Sequence, residues 1–380
     1  MPDQFTTTST TGYGSRIMNS IKGVLFGMIL FAGSFLLLFW NEGRIDISQV
    51  AKTATEISSE TVISDPAVNG KFISTTGAVG SPETIGDGMF LKPDTFLVVE
   101  RKAEMYAWVE HESTQSRTNT GGSETTDTTY TYAKEWTDSS RPSSAFRHPE
   151  GHENFQPILN SAMNKVTQAT IGAYRIDMPV VELPPLSPLQ LTAQNTMLTQ
   201  GAVLANDTYL YIPQNKANAF DNPQIGDMRV SYLALRSGTR GTLMGKLSGD
   251  SIVPYVDQNN TRIYRIFSGT TKEEAVGTLH AEYVKTTWIL RGIGFFMMWF
   301  GLMLLFGPIS VLMDILPIFG ALTRSLIGLI TFLASLALWV VTILVSMLLH
   351  NLIALAISIV VAIGVIIGVL IWLKKKKTVA

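Results

Sequence analysis

The chain has 380 residues, 46% hydrophobic and 16% charged, with a formal net charge of -1. It contains no cysteine, which excludes disulfides, thiolate zinc sites, iron-sulfur clusters and a cysteine nucleophile. Between Asn41 and Thr287 lie 28 of the 30 acidic residues and 21 of the 29 basic ones. An acidic middle region without a Lys/Arg cluster excludes nucleic acid as a partner, because phosphate neutralisation needs a basic face.

Residues 1–22 are rich in Ser and Thr and read as a disordered cytoplasmic N-terminus. Gly23 to Trp40 follows without a charge, and 18 residues at about 1.5 Å each span about 27 Å, close to the hydrocarbon core of a bilayer. Trp40 and Asn41 stand where a signal peptide would carry small residues for cleavage, so 23–40 reads as a transmembrane helix.

Residues 41–287 have the composition of a β-rich (α+β) extramembrane domain, large enough to bury its own core. Thr95 to Glu112 and Thr128 to Trp136, rich in Val, Thr and aromatics, read as a long hairpin with a flexible tip over Ser113 to Asp127. Further strands are expected at Thr208 to Ile212, Asp227 to Arg236, Gly241 to Lys246, Arg262 to Phe267 and Thr278 to Lys285, and a short helix around Pro157 to Thr167. The repeat of Gly77-Ala78-Val79 at Gly201-Ala202-Val203, each followed by an Asp-containing turn and a long strand, suggests two related modules.

Trp288 to Phe306 reads as a second span ended by Pro308. Ser325 to Leu373 is interrupted only by His350 and Asn351, and a straight helix of that length would run about 74 Å, more than twice the hydrocarbon thickness. It is therefore expected to fold back at His350-Asn351 into helices at 325–349 and 352–373. Residues 307–324, apolar but broken by Pro308, Pro317 and Gly320, read as an interfacial or re-entrant connection, and 374–380 as a basic cytoplasmic tail. The expected architecture is thus four transmembrane helices, one N-terminal and three C-terminal. Arg16, Lys22, Arg324 and Lys374 to Lys377 place both termini in the cytoplasm by the positive-inside rule.

Small residues at packing spacing, Gly23 and Gly27, Gly294 and Gly301, Ala354 and Ser358, and Gly364 and Gly368, predict close helix association within or between chains. No Asp, Glu or Lys lies well inside a span, which argues against active transport; Thr331, Ser335, Thr342 and Ser346 leave a hydroxyl-lined pore open.

His148-Pro-Glu-Gly-His152 sets two histidines four apart beside Glu150 and Glu153, but Pro149 and Gly151 oppose the helix that a zincin site requires, so a structural turn is expected. His111 and His280 read as isolated strand residues. Neither a nucleophile elbow nor a phosphate-binding loop is present. No catalytic, cofactor-binding or metal-binding residue is assigned, and no cofactor is expected. Asn206-Asp-Thr208 and Asn259-Asn-Thr261 match the glycosylation sequon.

Several stretches in order resemble the transmembrane protein 43 (LUMA) family: Ser15-Arg16, LFWNEGR (Leu38 to Arg44), VERKAEMYAW (Val99 to Trp108), YAKEW (Tyr132 to Trp136), FRHPEGHEN (Phe146 to Asn154), IGDMRVSY (Ile225 to Tyr232) and LPIFG (Leu316 to Gly320). The resemblance covers nearly the whole chain. It implies a four-helix membrane protein whose large domain faces the endoplasmic reticulum or perinuclear lumen in animals and, by analogy, the periplasm or exterior in bacteria; the absence of cysteine and the lysine tail lean towards a bacterial inner membrane. Animal members are linked to organisation of the inner nuclear membrane with lamins and emerin, partners that do not carry over here, and the family has no established catalytic residues to transfer.

The functional expectation is a non-enzymatic multi-pass scaffold whose partners are the lipid bilayer, further copies of itself and an unidentified membrane or envelope protein. A passive ion conductance is the alternative, and an envelope hydrolase the third reading.

Overall fold

The computed structural model describes residues 3–62, 65–258, 260–269, 271–315 and 317–351. The expected fourth helix at 352–373 and the tail at 374–380 lie outside the described residues. Helices α1 (Tyr13–Glu42), α2 (Ile47–Lys52), α3 (Lys272–Leu305), α4 (Gly307–Met313) and α5 (Pro317–His350) accompany an eight-stranded and a seven-stranded sheet. The chain divides into two compact units. One comprises residues 1–7, 46–114 and 128–281; the other, residues 8–45, 115–127 and 282–380.

The first unit is the expected β-rich domain. Its eight-stranded sheet is built on the long hairpin, Phe96–Thr118 and Glu124–Thr137, which pairs on one side with Met228–Arg236 in antiparallel register, Val230 opposite Ala103. The seven-stranded sheet centres on Phe72–Gly80 paired with Thr239–Ser248, Gly241 opposite Gly77. Alternate residues of these strands point inward. Ile73, Val79, Leu97, Leu235, Leu243 and Ile266, drawn from both sheets, form one buried cluster; Phe90, Met105, Val230 and Tyr232 form a second.

Four expectations are corrected. The expected disorder over 1–22 gives way, among the described residues 3–22, to regular structure: Gln4–Thr11 is an edge strand next to Glu124–Thr137, a pairing its β-branched threonines favour, and α1 begins at Tyr13. Thr278 to Lys285 is not a strand but part of α3, whose Ala275, Val276 and Leu279 are buried at helical spacing and whose first turn carries Glu273 and Glu274. The expected helix over Pro157 to Thr167 is replaced by strand Ala162–Lys165, which pairs with Val98–Arg101; the Asn160 carbonyl accepts from the Arg101 side chain and Ser161 Oγ from the Ala103 amide. The proposed duplication does not map onto equivalent places, since Gly77 to Val79 is central in the seven-stranded sheet whereas Val203 begins a two-residue edge strand of the other.

In the second unit α1 and α3 are antiparallel neighbours, and α5 returns beside them. Gly27 and Gly301 form the crossing: a Cβ on Gly27 would lie 2.9 Å from the Gly301 carbonyl oxygen, and one on Gly301 2.8 Å from the Phe31 amide nitrogen. Gly294 makes room for Leu38, which with Met298 and Ile343 forms the buried centre. For Gly27, Gly294 and Gly301 the predicted small-residue association is realised within the chain, whereas Ala354, Ser358, Gly364 and Gly368 lie outside the described residues. Trp299 Nε1 donates to the Gly328 carbonyl and Trp339 Nε1 to that of Arg291, joining α3 to α5. The expected interfacial or re-entrant connection at 307–324 contains α4 and the start of α5. Pro308 sits in the first turn of α4 and Pro317 opens α5, positions where a missing N–H costs nothing.

Candidate functional site: the polar ends of the helix bundle

The His148–His152 segment is a turn, as its composition predicts. His152 N donates to the Pro149 carbonyl and Gly151 has φ +81°. His152 is buried, stacks on Tyr132 at 3.9 Å and meets Trp108 edge-on at 4.8 Å, while His148 stacks on Phe5 at 4.2 Å. Asn154 closes the segment onto the hairpin, accepting from the Trp108 amide and donating to its carbonyl. Tyr132 donates to Glu110 at 2.5 Å; burial and that carboxylate push its hydroxyl up to about 12. Glu150 and Glu153 are exposed beside the turn, and no metal-binding group of three or more His, Asp or Glu occurs among the described residues. His111, in the hairpin, contacts Glu135 at 2.9 Å; His280, a helix residue and not a strand one, contacts Asp46, the N-cap of α2, at 2.9 Å. Asn206 shapes an exposed turn by accepting from the Thr208 and Tyr209 amides, and Asn259 lies outside the described residues.

Two aspartates missed by the motif search organise loops of this unit. Asp87 accepts from the amides of Met89, Phe90 and Leu91, from Tyr232 Oη and from Arg101. Burial alone would raise its pKa, but the Leu91 amide, Tyr232 and its other donors outweigh that and hold it below the ordinary value. Asp227, fully buried, accepts from Tyr211, Asn218 and the amides of Gln214 and Gln224. The recurring Ile-Gly-Asp of 85–87 and 225–227 was the available signal. These carboxylates are saturated by donors, which suits a structural role.

At one end of the bundle a buried ion cluster receives the hairpin tip. Arg16, 7% exposed, donates to Asp314 at 2.6 Å, to the Gly122 carbonyl at 2.6 Å and meets Glu124 at 2.9 Å. Asp314, 1% exposed, also meets Arg324 at 3.3 Å, and Arg324 donates to Thr118. Gly121 N donates to the Ile315 carbonyl. Gly320 leaves space for the Asp314 carboxylate.

At the other end Glu42 and Arg291 form a two-pronged ion pair at 2.8 and 2.7 Å. Trp288 lies beneath the guanidinium at 4.8 Å, and Asn41 Nδ2 donates to the Thr287 carbonyl. The pair borders an open pocket of about 450 Å³. Between these ends Thr331, Ser335 and Ser346 are buried, Thr331 donating to the Ile327 carbonyl; Thr342 is exposed and bonds Leu338.

The helices α1, α3 and α5 are each long and apolar enough to cross a membrane, and together with the β-rich unit they define an integral membrane protein. The family model described as Transmembrane protein 43 matches residues 105–372, and the chain belongs to that family. It is 26% identical over 309 residues to the Transmembrane protein 43 homolog of Drosophila melanogaster, covering 77% of this chain and 81% of that one. To Transmembrane protein 43 of Homo sapiens it is 24% identical over 369 residues, 91% of this chain and 88% of that one. No solved structure matches.

Proposed function

We propose that the protein is a non-enzymatic, multi-pass membrane scaffold. The helices anchor and self-associate, and the β-rich unit engages another membrane or envelope protein. The observation that supports the anchoring part of this reading is the Gly27–Gly301 crossing within the chain, where two helices approach too closely for any side chain between them. Such contact suits a fixed anchor. The burial of Thr331, Ser335 and Ser346 among the described residues supports the scaffold over passive conductance. The apolar run 352–373 completes a fourth span on this reading. The charges of Arg16, Lys22, Arg324 and Lys374 to Lys377 support a cytoplasmic placement for the Arg16 end. No catalytic role, cofactor, metal or nucleic-acid partner is assigned.

The test is extraction into native-lipid particles and measurement of particle mass. A fixed multiple of the 41.6 kDa chain, with a recurrent co-purifying protein, is expected. Single-chain particles would remove self-association from the proposal, and an ion flux in liposomes abolished by Thr331→Val would replace it with conductance.

A further inference from the structure

The pocket beside the Glu42–Arg291 pair lies where all three apolar helices change character. Gly23 to Trp40 ends in Asn41-Glu42, the apolar run of α3 opens at Trp288, and α5 gives way to His350-Asn351. Aromatic residues at such a transition mark the level where acyl chains meet headgroups. The described part of the bundle therefore places the pocket at the boundary of the hydrocarbon layer.

Its walls are Glu42, Tyr283, Thr287, Trp288, Arg291 and His350, and its volume of about 450 Å³ falls in the range of small-ligand sites. Two features of the lining select the ligand. Glu42 and Arg291 have side chains only 4% and 12% exposed, so an anion and a cation stand together in a partly water-excluded place. Arg291 uses Nε and Nη2 on Glu42, and the Trp288 ring, 58% exposed, lies against its guanidinium. A purely anionic guest would meet the Glu42 carboxylate, and a purely cationic one the Arg291 guanidinium, each at a cost that rises in low dielectric. A guest bearing both charges a few ångströms apart extends the pair: phosphate to Arg291, ammonium to Glu42 and the aromatic faces. From the pocket mouth, Trp288 and Ile289 on α3 and Met347 on α5 continue as exposed apolar surface, which suits attached acyl chains.

We propose that this pocket holds the headgroup of a zwitterionic phospholipid with an ammonium group, of the phosphatidylethanolamine type. The ligand is the membrane lipid and not its soluble headgroup, because the apolar surface below the pocket contributes to holding it.

The experiment is native mass spectrometry of the full chain, delipidated in detergent and titrated with phosphatidylethanolamine or phosphatidylglycerol. One phosphatidylethanolamine is expected to remain bound per chain, at least tenfold more tightly than phosphatidylglycerol. Met347→Trp, which fills the mouth from an already exposed position, is expected to weaken retention at least tenfold with an unchanged melting curve. Glu42→Gln keeps the shape and is expected to abolish the preference between the two lipids. Equal retention by the wild type and Met347→Trp, or tighter binding of phosphatidylglycerol, overturns the site. Displacement of the lipid by millimolar phosphoethanolamine overturns its assignment to a membrane lipid.

Discussion

Replacing Arg16 with Met retains much of the side chain's length and removes its charge. The Asp314 carboxylate, 1% exposed, would then keep only the 3.3 Å contact to Arg324; its Oδ1 already has no partner among the described residues. Removing one member of a buried ion pair costs about 3–5 kcal/mol, because the remaining charge stays desolvated. The bond to the Gly122 carbonyl is lost as well, so the helix end and the hairpin tip should loosen together. Glu124, which also touches Arg16 but is 31% exposed, gives the contrast: Glu124→Gln should cost about 0–1 kcal/mol. Reversible unfolding of the bundle in mixed micelles, followed by tryptophan fluorescence, measures both. Arg16→Met/Asp314→Leu should recover much of the loss, since an apolar pair of similar volume leaves no stranded charge. A cost below about 1 kcal/mol for Arg16→Met, or equal costs for the Arg16 and Glu124 variants, would refute the buried-pair account.

Gly301→Leu should destabilise the bundle by about 1–3 kcal/mol or more, since its Cβ alone would meet the α1 backbone at 2.8 Å; helix-bundle unfolding in the same micelles checks it. The folded pKa of Asp87 is lowered, so its stabilisation is present above the ordinary value of 3.8 and is lost as pH falls through the folded value. Asp87→Asn should therefore flatten that limb of an acid-unfolding profile, and an unchanged profile would contradict the assignment. His152→Ala should cost the β-rich unit about 2–4 kcal/mol through lost packing on Tyr132 and Trp108, with no melting shift on adding zinc to the wild type; a zinc-dependent shift would restore the metal reading. Because the chain has no cysteine, Ser9→Cys and Thr120→Cys can each be labelled singly in vesicles. A membrane-impermeant maleimide should reach both from the same face, and opposite faces would show that the tip is undocked in a bilayer.

Much of the fold was legible where composition and period agreed. The three apolar runs, the long hairpin and the strand at Met228–Arg236 were read from uninterrupted apolar or alternating patterns. Thr278 to Lys285 was misread because eight residues containing Thr, Tyr and Val satisfy a strand, and its helical burial emerges only with Ala275 and Val276 ahead of it. The edge strand Gln4–Thr11 was missed because a polar threonine run has no apolar alternation; its partner lies more than a hundred residues away. Glu42 and Arg291 were both visible as charges bordering apolar runs, yet their pairing depends on antiparallel helices meeting in a register fixed by Gly27, Gly294 and Gly301. The Pro149 and Gly151 chemistry, by contrast, decided the histidine turn without any tertiary knowledge.

The Arg16 cluster also bears on biosynthesis. Helix α1 is complete at Glu42, whereas the tip residues that bind Arg16 are made more than seventy residues later. A translocation machinery that threaded α1 straight across a bilayer would deliver Gly122 and Glu124 to the far side of the membrane from Arg16 and Asp314. The polar, open-edged hairpin could not follow through lipid unaided, because its backbone groups would lose their hydrogen-bonding partners. Formation of the cluster during synthesis would therefore require Arg16 and the nascent hairpin to stay on a common face, or protein to shield the hairpin's passage. A crosslink between positions 16 and 122 formed during synthesis would turn that salt bridge into a reporter of how the first helix entered the membrane.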